Sequence, residues 1–145
     1  MGRQRKLSTF YLDDLFFGVD VTRVQEVIRY HELTRVPLAP EVVQGLINLR
    51  GQIVTAVDLR APLELRDRQN GHEPMNVVLR TEDEPVSLLV DRIGDVLDVD
   101  EDAFEPPPET LKGAVRKLIR GAYKLDGTLL LHLDVSAAIG LAYGS

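Results

Sequence analysis

Short apolar runs alternate with polar punctuation along the whole chain, and few of them carry helical spacing. Leu7–Leu12 and Leu15–Val19 flank Asp13-Asp14, which predicts a hairpin. Val21, Val24 and Val27 then recur three apart behind Asp20. That spacing predicts one helical turn capped by Asp20, running into an extended segment near Tyr30. Pro37 and Pro40 impose an extended connection, and Glu41–Gln44 reads as a short turn closed by Gly45. Leu46–Leu49 and Ile53–Leu59 are the densest strand candidates, joined by Arg50-Gly51-Gln52. In the second, Ile53, Thr55 and Val57 share one face, while Val54, Ala56 and Asp58 share the other. Pro62 ends it.

Arg66–Pro74 is polar and contains Asn70-Gly71, the pattern of a surface linker. Met75–Thr81 and Val86–Asp91 predict a second hairpin around Glu82-Asp83-Glu84. Asp95–Asp100 predicts another strand. Residues 101–110 hold an acidic cluster and then Pro106, Pro107 and Pro108, and read as loop. Val115–Leu125 and Thr128–Asp134 predict a last hairpin on Asp126-Gly127, and Asp134 or Ser136 is placed to cap a short helix through Ile139. About nine or ten short strands with turns at this spacing predict small β-barrels or a sandwich. The polar stretch at 64–74 suggests two barrel lobes.

Composition narrows the chemistry. The chain has 145 residues, enough for one domain with its own core. It has no cysteine, which removes thiol catalysis, zinc ribbons and a disulfide framework. The net charge of −6 makes it a poor counterion for duplex phosphate. No apolar run approaches the ~20 residues that span a bilayer, and Arg3, Arg5 and Lys6 precede no apolar leader segment. The sequence therefore reads as a cytoplasmic protein without membrane insertion.

Asp98, Asp100, Asp102 and Glu109 imitate a calcium loop. Ala103 stands where that loop needs glycine, and the three prolines block its exiting helix. His31, His72 and His132 lack a second ligand at metal spacing. His132 alternates with Leu131 and Leu133, which predicts the outer face of its strand. No phosphate-cradling glycine loop or nucleophile motif is present. No catalytic residue, cofactor or metal is expected, and the chain reads as a non-enzyme. Lys112, Arg116, Lys117, Arg120 and Lys124 form a basic stretch that a single-stranded nucleic-acid binder would use, but only Tyr123 supplies an aromatic platform there.

The informative region is 18–60. Gly18-Val19-Asp20-Val21, Val24-Gln25-Glu26-Val27-Ile28, Val36-Pro37-x-Ala39-Pro40 and Gly45-Leu46-Ile47-Asn48-Leu49-Arg50-Gly51-Gln52-Ile53-Val54 are followed by Val57-Asp58-Leu59-Arg60. This ordered set resembles the CheW family of chemotaxis coupling proteins. Val86–Val90 with Asp91, Asp95-Val96-Leu97, the proline loop, Gly127 and the terminal helix agree with it. The resemblance covers residues 8–141 as a single CheW-like domain, leaving 1–7 as a basic N-terminal tail.

The resemblance implies an all-β fold of two packed five-stranded SH3-like barrels with short helical turns. It implies a non-catalytic adaptor that couples the cytoplasmic hairpin tip of chemoreceptors to the regulatory domain of a CheA-type histidine kinase. It also implies contacts with other CheW-like domains in array rings. Val24, Glu26, Val27 and Val96 become the receptor-groove residues, and Asn48, Arg50 and Gly51 the coupling turn. Arg50 joins a partner's carboxylate or ties the barrels together, whereas Asn48 bonds the turn backbone. No residues are assigned to the kinase contact. Thr55-Ala56 departs from relatives that carry proline in this strand. The chain reads as the minimal stand-alone form, without a fused receiver domain.

Overall fold

The computed structural model describes residues 3–68, 71–111 and 113–143, so Asn70 and Lys112 of the sequence reading lie outside the described residues. The first hairpin is β1 (Gln4–Leu12) and β2 (Leu15–Asp20). A 3-10 turn over Val21–Arg23 leads to β3 (Val24–Ile28), and β4 (Val43–Leu49) and β5 (Gln52–Val57) follow. Next come β6 (Met75–Leu79), β7 (Val86–Val90), β8 (Arg92–Asp100) and the two-residue β9 (Phe104–Glu105). The chain ends its regular structure with α1 (Ala114–Leu118), β10 (Ile119–Leu125), β11 (Thr128–Leu133) and α2 (Val135–Ala142).

These strands form two sheets. One has the order β8-β1-β2-β11-β10-β9, the other β3-β6-β7-β5-β4. Each curls until its edges meet. In the first, the 3-10 turn Glu101–Ala103 joins the edge strands β8 and β9 directly, with the Asp102 amide donating to Asp100 Oδ1 at 2.9 Å. In the second, Thr34 and Leu46 exchange backbone hydrogen bonds of 2.9 and 2.8 Å, stitching the chain after β3 onto β4. Gly45 sits at that seam, where a Cβ would lie 2.7 Å from the Thr34 carbonyl oxygen. The architecture is therefore two packed SH3-like barrels, the first carrying β9 as a sixth, two-residue strand.

The apolar runs acquire a reason. In β7, Val86, Leu88 and Val90 face a core that spans both barrels, while Leu89 faces the interior of its own. In β6, Val77 and Leu79 look one way and Val78 the other. A strand buried on both faces needs a continuous apolar run rather than strict alternation. β1, β2, β10 and β11 behave likewise: Phe10, Phe17, Ala122 and Leu131 enter the shared core, while Leu7, Phe16, Tyr123 and Leu130 fill their own barrel. Two polar side chains on the interior face of the second barrel satisfy each other: Ser87 Oγ donates to Asn76 Oδ1 at 2.7 Å, and Asn76 Nδ2 donates to the Arg29 carbonyl at 3.1 Å.

Several expectations are corrected. β1 starts at Gln4, so Gln4–Leu7 of the supposed tail is strand, and Leu7 is buried. Asp20 makes no capping bond, and the helical turn lasts only three residues, because Val24–Ile28 is claimed by pairing with β6. Gly45 lies within β4 at a register shift instead of closing a turn. Residues 114–118 are helical; Ala, Arg, Lys and Leu favour it, and Leu118 is its buried residue. The 64–74 stretch does not divide the lobes. The second barrel, β3–β7, is inserted whole between β2 and β8 of the first. Asp98 pairs with Lys6 at 3.0 Å, and no group of three or more potential metal ligands occurs among the described residues. No described helix is long and apolar enough to cross a membrane.

His132 is the sharpest correction. It is 3% exposed, packed beside the rings of Phe104 and Tyr123, because β11 has no wet face. Its Nδ1 has no hydrogen-bond partner, and Nε2 lies 3.9 Å from Asp20 Oδ2. Burial lowers its pKa; Asp20 and Asp134 oppose this, and Arg5 and Arg120 reinforce it. A depressed folded-state pKa means that the unfolded chain takes up the proton first, so stability is lost as pH falls below about 6.5. Urea unfolding at about pH 7.5 and 5.5 will show a lower midpoint at the acidic value, and His132→Phe will remove most of that difference.

Candidate interaction site

The turn between β4 and β5 has two residues, Arg50 and Gly51, with φ of 53° and 84°. Positive φ at both positions is what the tight I′ hairpin turn requires, and Gly51 adopts it without a Cβ penalty. Asn48 Oδ1 accepts the Gly51 amide at 2.9 Å, so Asn48 holds the turn backbone as expected. Arg50 projects outward, and its Nη2 donates to Glu26 Oε2. Glu26 is on β3, the opposite edge of the five-stranded sheet. The pair therefore crosses the barrel's closing seam, and of the predicted residues these two are brought into direct contact. Arg50 remains 67% exposed in its side chain, open to a further carboxylate or carbonyl.

The predicted aliphatics divide. Val27 on β3 and Val96 on β8 are exposed, at 38% and 56%, and belong to different barrels. Val24 is half-buried and packs against the shared core. A β-bulge at Gln25, between Val24 and Glu26, breaks the alternation of β3 at this point. Further exposed apolar residues are Tyr30, Val36 and Leu38 on the β3–β4 connection and Ile53 in β5. Leu38 is fully exposed and held at φ 64° between Pro37 and Ala39, a conformation that ordinarily favours glycine. Exposure of this kind depends on tertiary closure, and single-sequence reading had no signal for it.

Sequence reading also missed the charged cluster that ties the barrels together. Arg60 Nη2 bonds Asp13 Oδ1 at 2.7 Å and also reaches Asp91. Arg68 pairs with Asp58 and, through Nε, with Asp91 Oδ1 at 2.9 Å, and donates to the Leu89 carbonyl at 3.1 Å. Asp91 Oδ2 additionally accepts the Asp13 amide at 2.7 Å. Asp13 belongs to the β1–β2 turn of one barrel; Asp58, Arg60 and Arg68 belong to the β5–β6 connection of the other. Asp91 is the residue where the chain passes back. Arg60, Arg68, Asp58 and Asp91 are nearly buried. The tie between barrels is thus Arg60, not Arg50, and the supposed surface linker contributes Arg68 to it. Burial opposes charge on both Arg60 and Asp91, yet the hydrogen bonds prevail: Asp13 and then Asp91 hold Arg60 above its ordinary pKa, and the Asp13 amide, then Arg60 and Arg68, hold Asp91 below. A cleft of about 570 Å3 opens beside the cluster, lined also by Arg66, Asp67 and His72.

The one aromatic residue of the basic stretch is withdrawn from solvent. Tyr123 is 1% exposed inside the first barrel, Arg116 donates to the Pro108 carbonyl at 2.7 Å, and Lys124 lies 3.6 Å from Glu105.

Paired small barrels presenting an arginine turn and exposed aliphatics define a class of interaction module. The CheW-like domain family model matches residues 6–142, and the chain belongs to that family. It is 29% identical over 136 residues to a chemotaxis protein CheW of Treponema pallidum, covering 91% of this chain and 80% of the relative. It is 30% identical to that of Thermotoga maritima, with 94% and 89% covered. Among solved structures, the scaffolding protein TtCheW from Thermoanaerobacter tengcongensis superposes with a TM-score of 0.81 at 26% identity, over 91% and 90% of the two chains.

Two substitutions separate the two arginines. Arg60→Ala leaves Asp91 with Arg68 and the Asp13 amide but removes the buried bond across the barrels, and will lower unfolding free energy by about 1.5–3 kcal/mol. Arg50→Ala removes an exposed pair and will cost less than about 1 kcal/mol. Equal losses in urea titrations would contradict the assignment of roles.

Proposed function

We propose that the chain is a non-catalytic scaffold of chemotaxis-type signalling that couples chemoreceptors to a CheA-type histidine kinase. The observation that carries this reading is the Arg50 turn, pinned by Glu26 at the barrel seam and flanked by exposed aliphatic residues, in a chain of the CheW-like family. Receptor tips are helical hairpins, and an apolar helix face fits exposed aliphatics with a few polar pins. Val27 and Val96 serve as those aliphatics, and Glu26 and Arg50 as the pins. Val24 contributes from its half-buried position. The kinase regulatory domain, itself a CheW-like fold, takes the protruding Leu38 loop, where an apolar anchor is presented within a polar rim. Other CheW-like domains meet the same loop in array rings. The protein acts in the cytoplasm, held at the membrane through its partners.

The likeness to chemotaxis proteins CheW and to a solved scaffolding protein supports the reading, as does the burial of Tyr123, which withdraws the one aromatic of the basic stretch from the stacking that single-stranded nucleic acid needs. Nucleic-acid binding would show steep salt dependence, and none is expected.

Calorimetry with a receptor signalling hairpin and with the kinase regulatory region of the same genome will give micromolar affinities, about −8 kcal/mol each. Val96→Lys will weaken the hairpin and spare the kinase; Leu38→Asp will do the reverse. Arg50→Ala will remain folded and bind, but lose receptor control of kinase activity in reconstituted arrays. Absence of binding to both partners by folded protein would overturn the coupling role.

A further inference from the structure

The surface assigned to the receptor hairpin is split between the barrels. Glu26 and Val27 lie on β3 of the second barrel, and Val96 lies on β8 of the first. The Leu38 loop assigned to the kinase belongs wholly to the second barrel, between β3 and β4. A change in the angle between barrels distorts the split surface and leaves the loop intact. Whatever sets that angle therefore matters to one partner and not to the other.

The chain crosses between the barrels at Val21–Arg23 and again at Asp91. At the first crossing, the Arg80 amide donates to the Arg23 carbonyl at 2.8 Å, and Arg80 Nη1 to the Val24 carbonyl at 2.6 Å. At the second, Asp91 is fastened to the first barrel: its amide donates to the Tyr11 carbonyl at 2.9 Å, and its carboxylate accepts the Asp13 amide. The guanidinium groups that grip the same carboxylate, Arg60 and Arg68, come from the second barrel. Both arms of the receptor surface start from here. Val96 follows Asp91 along β8, and Leu88, just before it, pairs with Val77, which pairs with Val27. The rest of the junction is the shared apolar core. Apolar burial is non-directional, and apolar cores lose a unique arrangement before they lose stability. Bonds of fixed geometry select one placement, and the planar arginine forks supply them here.

We propose that Arg60 and Arg68 are positioning residues for the receptor hairpin: gripping Asp91 from the second barrel, they hold β3 and β8 at the spacing at which Val27 and Val96 meet one hairpin, a role that rests on the receptor reading of those valines. Neither arginine is part of the surface the hairpin covers. Their effect is preorganisation: the hairpin meets a surface already aligned, and none of its binding free energy is lost in aligning it. A protein aligned only about a tenth of the time binds about tenfold more weakly. The kinase contact, carried by one barrel, is insensitive to that population.

The test uses two variants of the full chain. Arg60→Met removes the grip from one side. Arg60→Met combined with Asp91→Asn removes a cation and an anion together and keeps an acceptor for the Asp13 amide, so no buried charge is left in excess. The chain has no cysteine, so Gln44→Cys on β4 and Lys124→Cys on β10 take one spin label in each barrel. Electron–electron dipolar spectroscopy should show one narrow distance in the otherwise unaltered protein and a broadened distribution in both variants. Calorimetry without labels, at a temperature where every protein is folded, should show hairpin affinity about tenfold weaker and kinase affinity unchanged. A distribution that stays narrow would overturn the proposal. So would a broadened distribution with undiminished hairpin affinity, or equal loss of both partners. Unaltered protein that binds the kinase but not the hairpin would instead sink the receptor reading of Val27 and Val96, and this role with it.

Discussion

The constraint on which the structure depends is that its central strands have no wet face. β6 and β7, like β1, β2 and β11, are pressed between the interior of their own barrel and the other barrel. A five- or six-stranded barrel of this size encloses little on its own, and the shared core supplies the rest. Phe10, Phe17, Val57, Leu88 and Leu131 therefore stabilise both barrels at once. Neither barrel loses its neighbour without exposing continuous apolar runs, so the pair behaves as one cooperative unit.

Against that apolar seam, the buried charges set orientation. Arg60, Arg68, Asp13, Asp58 and Asp91 join three separate connections, and each charge finds its partner in one mutual placement of the barrels. Such a cluster adds little net stability over a hydrophobic replacement. Its contribution is directional: it fixes how the surface bearing Val27 sits relative to the surface bearing Val96. The exposed Arg50–Glu26 pair does the complementary task, leaving a guanidinium free enough to engage something outside.

Most of the strands were legible because two-faced burial writes itself as short uninterrupted runs, as in Val86–Val90. The Asp58-Leu59-Arg60 segment was visible as a motif, but not as a latch, because its partners Asp13 and Asp91 are brought near only by the packing of the barrels. His132 shows the limit of alternation. A period of two states which residues share a face, and it is silent on whether that face meets water. Arg68 was lost for the same reason as Leu38: a polar connection looks alike in sequence whether it is pinned to the body or projects from it. The helix at 114–118 escaped because five residues are too few for periodicity to separate helix from strand.

Insertion of one barrel within the other also orders events during synthesis. β3 to β7 are contiguous: β4–β5 and β6–β7 close over short stretches of chain, and the longer-range pairing of β3 with β6 still lies within that segment. β2, made near the beginning, must wait for its parallel neighbour β11 from the far end. Loop closure over so long a span is slow and entropically costly. The inner barrel is thus positioned to form first on the ribosome, and to serve as the template on which the early hairpin is held until the last strand arrives.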